Sequence, residues 1–202
     1  MKTLSLTVRR GAKADIPIRL ESDTPAFVPI TAMSQSAPIQ IIAPAHGLPN
    51  GWRAAVMNAG GMIELNTPWN RLTNASLRRI ARIDADTVAF PDVNSASFRT
   101  YTGGGQLAHY PPIDLAAYNA AAMDVRSAVG ETLLAHYSTA DGTLELDAAN
   151  AALWIRLNDA ATAELPAGTL VFDIELAAVA GGTTAICAPD STLLVLPEIT
   201  TT

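Results

Sequence analysis

Leu170-Val171-Phe172-Asp173-Ile174-Glu175-Leu176 decides the fold class: Leu170, Phe172, Ile174 and Leu176 are apolar, and two of the three residues between them are acids. Successive side chains of a strand point to opposite faces, so this period of two buries one face of a sheet and wets the other. A helix with the same pattern would scatter its apolar residues around the whole circumference. Leu165-Pro166-Ala167-Gly168-Thr169 just before it supplies turn geometry through Pro and Gly.

The same period recurs outward in both directions. Leu153, Ile155 and Leu157 face one way, with Trp154, Arg156 and Asn158 on the other face, and Leu144 and Leu146 alternate with Thr143, Glu145 and Asp147. At the other end, Leu4, Leu6 and Val8 alternate with polar residues, Arg10-Gly11-Ala12-Lys13 turns, and Ile16, Ile18 and Leu20 resume. Two alternating runs around a glycine turn predict a hairpin. The start, from Met1 to Arg10, has no continuous apolar stretch and reads as a first strand and not as a signal peptide. Asn158–Leu165 is a short helix with Asn158 as its cap and Pro166 as its stop. The Ala-rich run Asp114–Met123 leads straight into an alternating strand, which argues against a helix there.

The middle of the chain has shorter strands. Pro38–Ala43, Trp52–Met57, Arg78–Ile83 and Thr87–Phe90 are separated by the turns His46–Gly51, Asn58–Met62 and Asp84-Ala85-Asp86. Short strands at close spacing predict a small barrel or sandwich of their own. Gly103-Gly104-Gly105 and Pro111-Pro112 read as a flexible exit and a stiff re-entry, a domain boundary.

Composition bounds the rest. The chain has 202 residues, 49% of them hydrophobic and 16% charged, with a formal charge of -6. That is enough apolar material for one sizeable core or two modest ones and excludes intrinsic disorder. No apolar run approaches a membrane span, and Cys187 is the single cysteine, which excludes an intrachain disulfide framework and a cysteine zinc cluster. The expectation is a soluble protein folded in a cytoplasm. Residues 25–110 hold six Arg against four acids, and the remainder holds seven bases against 15 acids. The overall sign is wrong for a nucleic-acid binder, and Arg78-Arg79-Ile80-Ala81-Arg82 reads as the solvated face of a strand.

Several segments carry a resemblance. Ile30-Thr31-Ala32-Met33-Ser34, Pro38–Ile41, Ala45–Gly51, Gly60–Asn66 and Tyr101–Gly105 resemble the small β-domain of tailed-phage structural proteins, named after the first catalytic-cysteine half-domain of ubiquitin-activating enzymes. The flanks (Val8–Gly11, Ile16–Ile18, Ile113–Tyr118, Met123–Arg126, Leu165–Thr169, Phe172–Leu176 and Leu196–Thr200) are similar to the N-terminal β-sandwich of siphophage upper-baseplate and related tail proteins. In that family's compact form the first hairpin runs directly into the Asp-Leu-x-x-Tyr segment. Here about 85 residues intervene, so the resemblance implies an all-β chain. A discontinuous antiparallel β-sandwich, residues 1–24 and 111–202, would host a small β-barrel-like domain, residues 25–110, inserted after the first hairpin. It further implies a virion component folded in the bacterial host cytoplasm, with other virion proteins and a second copy of itself as partners. Neither nucleic acid nor membrane is expected as a partner.

Each candidate for chemistry has a bland counterpart. His46, His109 and His136 lack metal-ligand spacing, and His46 before Gly47 suits a hydrogen-bonding turn. Asp84 and Asp86 read either as a calcium or acid–base pair or as turn residues bonding their own backbone, and the turn is favoured. Asp173 and Glu175 share an outward strand face, which suits paired glycosidase carboxylates or plain solvation. Cys187, after Ile186 on an apolar strand, is a buried structural thiol, and residues 25–110 hold no cysteine to carry the namesake enzymes' chemistry. Gly103-Gly104-Gly105 lacks the helix and Lys of a phosphate loop. No catalytic, cofactor-binding or metal residue is assigned. The competing function is a receptor- or glycan-binding module with Trp52, Trp69 and Trp154 as exposed platforms.

Overall fold

A computed structural model describes residues 3–73 and 75–198. Met1 and Lys2 of the first alternating stretch, and Ile199 and Thr200 of the closing one, lie outside the described residues. The chain divides into two compact units, residues 1–20 with 113–202, and residues 21–112. With those limits the middle unit holds six Arg against six acids and is neutral, because Glu21 and Asp23 belong to it, and the outer unit carries the whole -6. The contrast of sign expected between residues 25–110 and the remainder is therefore absent.

The outer unit begins with β1 (Ser5–Arg9) and β2 (Ala14–Arg19). The middle unit follows with β3 (Ala26–Pro29), β4 (Ala32–Met33), β5 (Ile39–Ile42) and β6 (Arg53–Met57), then β7 (Arg78–Arg79), β8 (Ala81–Arg82), β9 (Thr87–Phe90) and β10 (Gln106–His109). The outer unit resumes with β11 (Tyr118–Arg126), β12 (Leu133–Ser138), β13 (Leu144–Asp147) and β14 (Ala152–Leu157). After helix α1 (Asp159–Ala163) come β15 (Gly168–Ala178), β16 (Thr183–Ala185) and β17 (Ser191–Leu196). The fold is all-β.

In the outer unit, one sheet runs β1-β17-β15-β11-β12, with β16 on the second half of β15, and the other runs β13-β14-β2. Their inner faces share one core. Val125, Phe172, Ile174 and Val195 come from the larger sheet and Ile18, Leu144, Leu153 and Ile155 from the smaller, all buried in a single cluster. This is a sandwich, and the alternation around Phe172 and around Leu153 is its direct cause.

The expected hairpin is not formed. β1 pairs in parallel with β17, Ser5 opposite Thr192 through Arg9 opposite Leu196, and β2 pairs antiparallel with β14. Each half of the anticipated hairpin has joined a different sheet, so the two apolar faces meet across the core and not side by side. Both arrangements satisfy the same alternation, which is why the pattern did not separate them. The larger sheet is consequently mixed and not wholly antiparallel. The Ala-rich run forms one 3₁₀ turn, Leu115–Ala117, capped by Asp114 Oδ1 accepting from Ala116 N at 3.0 Å, and then β11. Helix α1 is held at its start by Asn158 Oδ1 accepting from Ala161 N at 2.8 Å.

The middle unit has two four-stranded sheets, β3-β10-β6-β7 and β4-β5-β9-β8. The segment 78–82 is split at buried Ile80, so that β7 pairs with β6 and β8 with β9. Ile63–Leu65 is a 3₁₀ turn. The glycine run 103–105 is a fixed part of this unit and not a flexible exit: Gly60 N donates to Gly103 O at 2.9 Å, and Tyr101 Oη donates to Ile30 O and Gly104 O at 2.9 and 2.7 Å. Gly61 is there by necessity. Its φ is +74°, and a Cβ would stand 2.0 Å from Thr100 O.

Candidate functional site

The outward face of the larger sheet brings together residues that are distant in sequence. Asp124 on β11 lies beside His136 on β12 on one side and opposite Asp173 on β15 on the other. His136 Nδ1 is 2.8 Å from Asp124 Oδ1, and Arg126 Nη2 donates to Asp124 Oδ2 at 2.9 Å. Arg126 Nη1 also donates to Glu131 O at 3.1 Å, tying the β11–β12 connection to the strand. A shallow cleft of about 200 Å³ opens here, lined by Asp124, Arg126, Val129, Phe172, Asp173 and Pro189. Ser138, the next outward hydroxyl along β12, is already committed, its Oγ donating to Asp141 Oδ2 at 2.9 Å. The arrangement orders side chains on a sheet face and presents charge at its rim. Asp173 and Glu175 do share the outward face, but the neighbour across the strands from Asp173 is Asp124, and Glu175 lies opposite Ala122.

β12 is an edge of this sheet. Thr139 N donates to Ala121 O at 3.0 Å, so by strand alternation Tyr137 and Ala135 turn their backbone groups toward β11. Ser138 and His136 turn theirs outward, and Leu134 is the extra residue of a bulge between Ala135 and Leu133. Ser138 N is satisfied by Thr143 Oγ1 at 2.9 Å. The open stretch around His136 contains no proline or formal charge, and Val129, Leu133 and Leu134 near it are exposed. Natural edges are usually blunted by such residues. The outer edge of the smaller sheet, β2, carries Pro17.

The remaining candidates are dispersed. His46 is buried in its turn, its Nδ1 accepting from Leu48 N at 3.0 Å, which leaves Nε2 to donate to Asp84 O at 3.2 Å. Asp84 Oδ1 accepts from Asp86 N, and Asp86 Oδ1 accepts from Ala45 N, both at 2.8 Å, so the Asp-Ala-Asp turn and the His46 turn brace each other. His109 is buried on β10, with no partner for Nδ1 among the described residues. Burial holds both imidazoles below their ordinary range. The Asp84 carbonyl on His46 and the Leu107 carbonyl on His109 act in the opposite direction.

Cys187 lies beyond the end of β16 and not on a strand. It is buried, and burial pushes its thiol up. Trp52 is also buried, its Nε1 donating to Tyr110 O at 2.9 Å, which removes it as an exposed platform. Trp154 is half-buried with the Arg156 guanidinium 4.7 Å above its ring. Trp69 alone of the three is largely exposed, at 63%. Among the described residues no three or more His, Cys, Asp or Glu side chains are grouped to hold a metal ion, and no helix is long and apolar enough to cross a membrane. No protein-family model and no curated protein matches the chain.

Proposed function

We propose that this chain is a non-enzymatic structural component of a tailed-phage particle, in the tail, baseplate or fibre-attachment region, and that it works by protein–protein assembly. The particle is suggested by the resemblance carried by residues 27–108 and by the flanking segments. Assembly is supported by one observation above others, the open edge of β12. The outward-turned N–H and C=O of His136 are self-complementary. Antiparallel pairing with a second copy about His136 sets His136 opposite His136 of the other chain, for two backbone hydrogen bonds. Exposed Leu133 and Leu134 adjoin the paired residue on the same strand.

Light scattering behind size exclusion tests the self-association. The wild-type chain is expected to exceed one copy per particle at high concentration, and Leu134→Lys is expected to return it to a monomer by placing a charge on the edge. A wild-type chain that stays monomeric throughout would defeat the self-association. Crosslinking of intact phage particles tests the location, with neighbours of residues 129–136 as the expected readout.

A further inference from the structure

The larger sheet of the outer unit ends in β12 on one side and in β1 on the other. β1 runs parallel to β17, with Thr192 N donating to Leu4 O at 2.8 Å and Arg10 N donating to Leu196 O at 2.9 Å. In a parallel ladder each residue turns its N–H and C=O to the same side, and that side alternates along the strand. Leu4, Leu6, Val8 and Arg10 therefore bond to β17, while Ser5, Thr7 and Arg9 turn their backbone groups away from it. Ala12 N donates to Arg9 O at 3.2 Å, and among the described residues nothing pairs with the outward groups of Ser5 and Thr7. The edge has neither a proline nor a shift of register. It is therefore open to an added strand, unlike β2, where Pro17 interrupts the edge of the smaller sheet.

The side chains along this edge define what fits it. Leu4 and Leu6 pack against the core yet stay half-buried, whereas Val8 is buried. A strand laid beside β1 covers them with its own inward side chains, which calls for apolar residues at alternate positions. On the other face Ser5 and Thr7 are small and exposed. Arg9 is exposed too, and among the described residues nothing neutralises it. The residue that suits the place directly opposite Arg9 is an acid. A second copy of β1, paired antiparallel about Thr7, would set Ser5 there and leave both guanidinium groups without an anion. We infer that β1 accepts an extended strand of a different protein in antiparallel register, with apolar residues beside Leu6 and Val8 and a carboxylate opposite Arg9. β12 lies at the far end of the sheet, so this contact does not depend on self-association there.

The probe is the peptide acetyl-Glu-Val-Thr-Val-Thr-Val-amide, whose glutamate falls opposite Arg9 when its first threonine lies opposite Thr7. Titration into the full chain, followed by hydrogen exchange resolved by residue, is expected to saturate and to slow exchange at Ser5 and Thr7. Leu6 and Val8, bonded to β17, should be protected with or without peptide. Thr7→Pro removes an N–H that the sheet does not use, so it should abolish binding and leave Leu6 and Val8 protected. A peptide N-methylated at its first threonine, which leaves the protein unaltered, should not bind. Arg9→Ala should weaken binding about threefold, the scale of a cross-strand charge pair, and lysine in place of the peptide's glutamate should weaken it further. Absence of saturable binding, protection at His136 in place of Thr7, or equal affinity for the N-methylated or the lysine peptide would each overturn the assignment. So would a Leu134→Lys chain that stays oligomeric until Thr7→Pro is added, since the edge would then belong to a second copy. Loss of self-association at β12 alters none of the peptide results.

Discussion

The two units solve the same problem by different means. The outer unit is held by long strands whose alternating apolar residues form one cluster, with β15 supplying Leu170, Phe172, Ile174 and Leu176 to it. The middle unit has strands of two to five residues, and its turns carry much of the order: His46 braces the Asp84 turn, Asn66 bonds both backbone groups of Ala59, and Ser95 Oγ donates to the carbonyls of Ser34 and Ser36. A sheet with many interchangeable apolar contacts tolerates partial loss. A unit organised by single polar ties and close backbone approaches has positions for which no other residue serves.

The largest expected effect follows from that difference. Gly61→Ala forces a Cβ into Thr100 O at 2.0 Å with φ at +74°, and should cost upward of about 4 kcal/mol and unfold the middle unit. Loss of amide protection throughout residues 21–112 would be the readout, and retained protection there would show that the backbone can yield. Phe172→Ala in the outer core should cost about 3–5 kcal/mol in urea denaturation, as a large core cavity does. Asn66→Ala, which strips Ala59 N and O of bonds of 2.8 and 2.9 Å, should cost about 2–3 kcal/mol although it removes only a few atoms. If Asn66→Ala proved neutral, the polar ties of the middle unit would be incidental to its stability.

Acid should separate the units further. His46 and His109 are held neutral chiefly by burial, and Arg82 beside His46 and His46 beside His109 add to it, against the carboxylates of Asp84 and Asp86 near His46. Their folded-state pKa values lie below the ordinary 6.5, so the unfolded chain takes up protons first as the pH falls. Their contribution is complete above that value and is lost as pH drops below it toward the folded-state values, by as much as about 1.4 kcal/mol per pH unit for each histidine. Hydrogen exchange at pH 7 and pH 5 should show the loss in residues 21–112. His109→Phe, which removes an unpartnered Nδ1, should flatten the dependence, and an unchanged slope in that variant would exclude His109 as its source.

What was legible in the sequence follows the same division. The period-two runs around Phe172, Leu153 and Leu144 became strands with the expected faces inward, and Asn158 capped a helix of five residues. Those are local signals. The partner of β1 was not legible, because alternation states which face is apolar and not which strand lies alongside. The split at Ile80 was hidden for a similar reason, since one short run served two sheets. The Asp124–His136 pair depends on the register of β11 against β12, which holds from Ala122 to Val125 and shifts just beyond it. For Asp124 and His136 a signal existed, both being polar positions in the outward phase of neighbouring strands, but the pairing had to be known first. Trp52 gave no sign of burial, because its hydrogen-bond partner, the carbonyl of Tyr110, is 58 residues away.

The smallest effect tests the rigidity of the outer unit without disturbing it. Cys187 sits past β16, 1% exposed, where Ile186 N donates to Ile174 O at 3.0 Å and closes the segment onto β15. Burial raises its thiol pKa, with the Ser191 hydroxyl acting in the opposite direction, so the reactive thiolate is scarce as well as inaccessible. A thiol reagent at mildly alkaline pH should therefore leave the native chain unmodified and label one site in urea. Cys187→Ala should cost only about 1 kcal/mol, the loss of one small buried group. Rapid native labelling would mean that the connection between β16 and β17 opens far more readily than the sheet it joins. The outer unit would then share, at that one place, the dependence on single closures that marks the middle one.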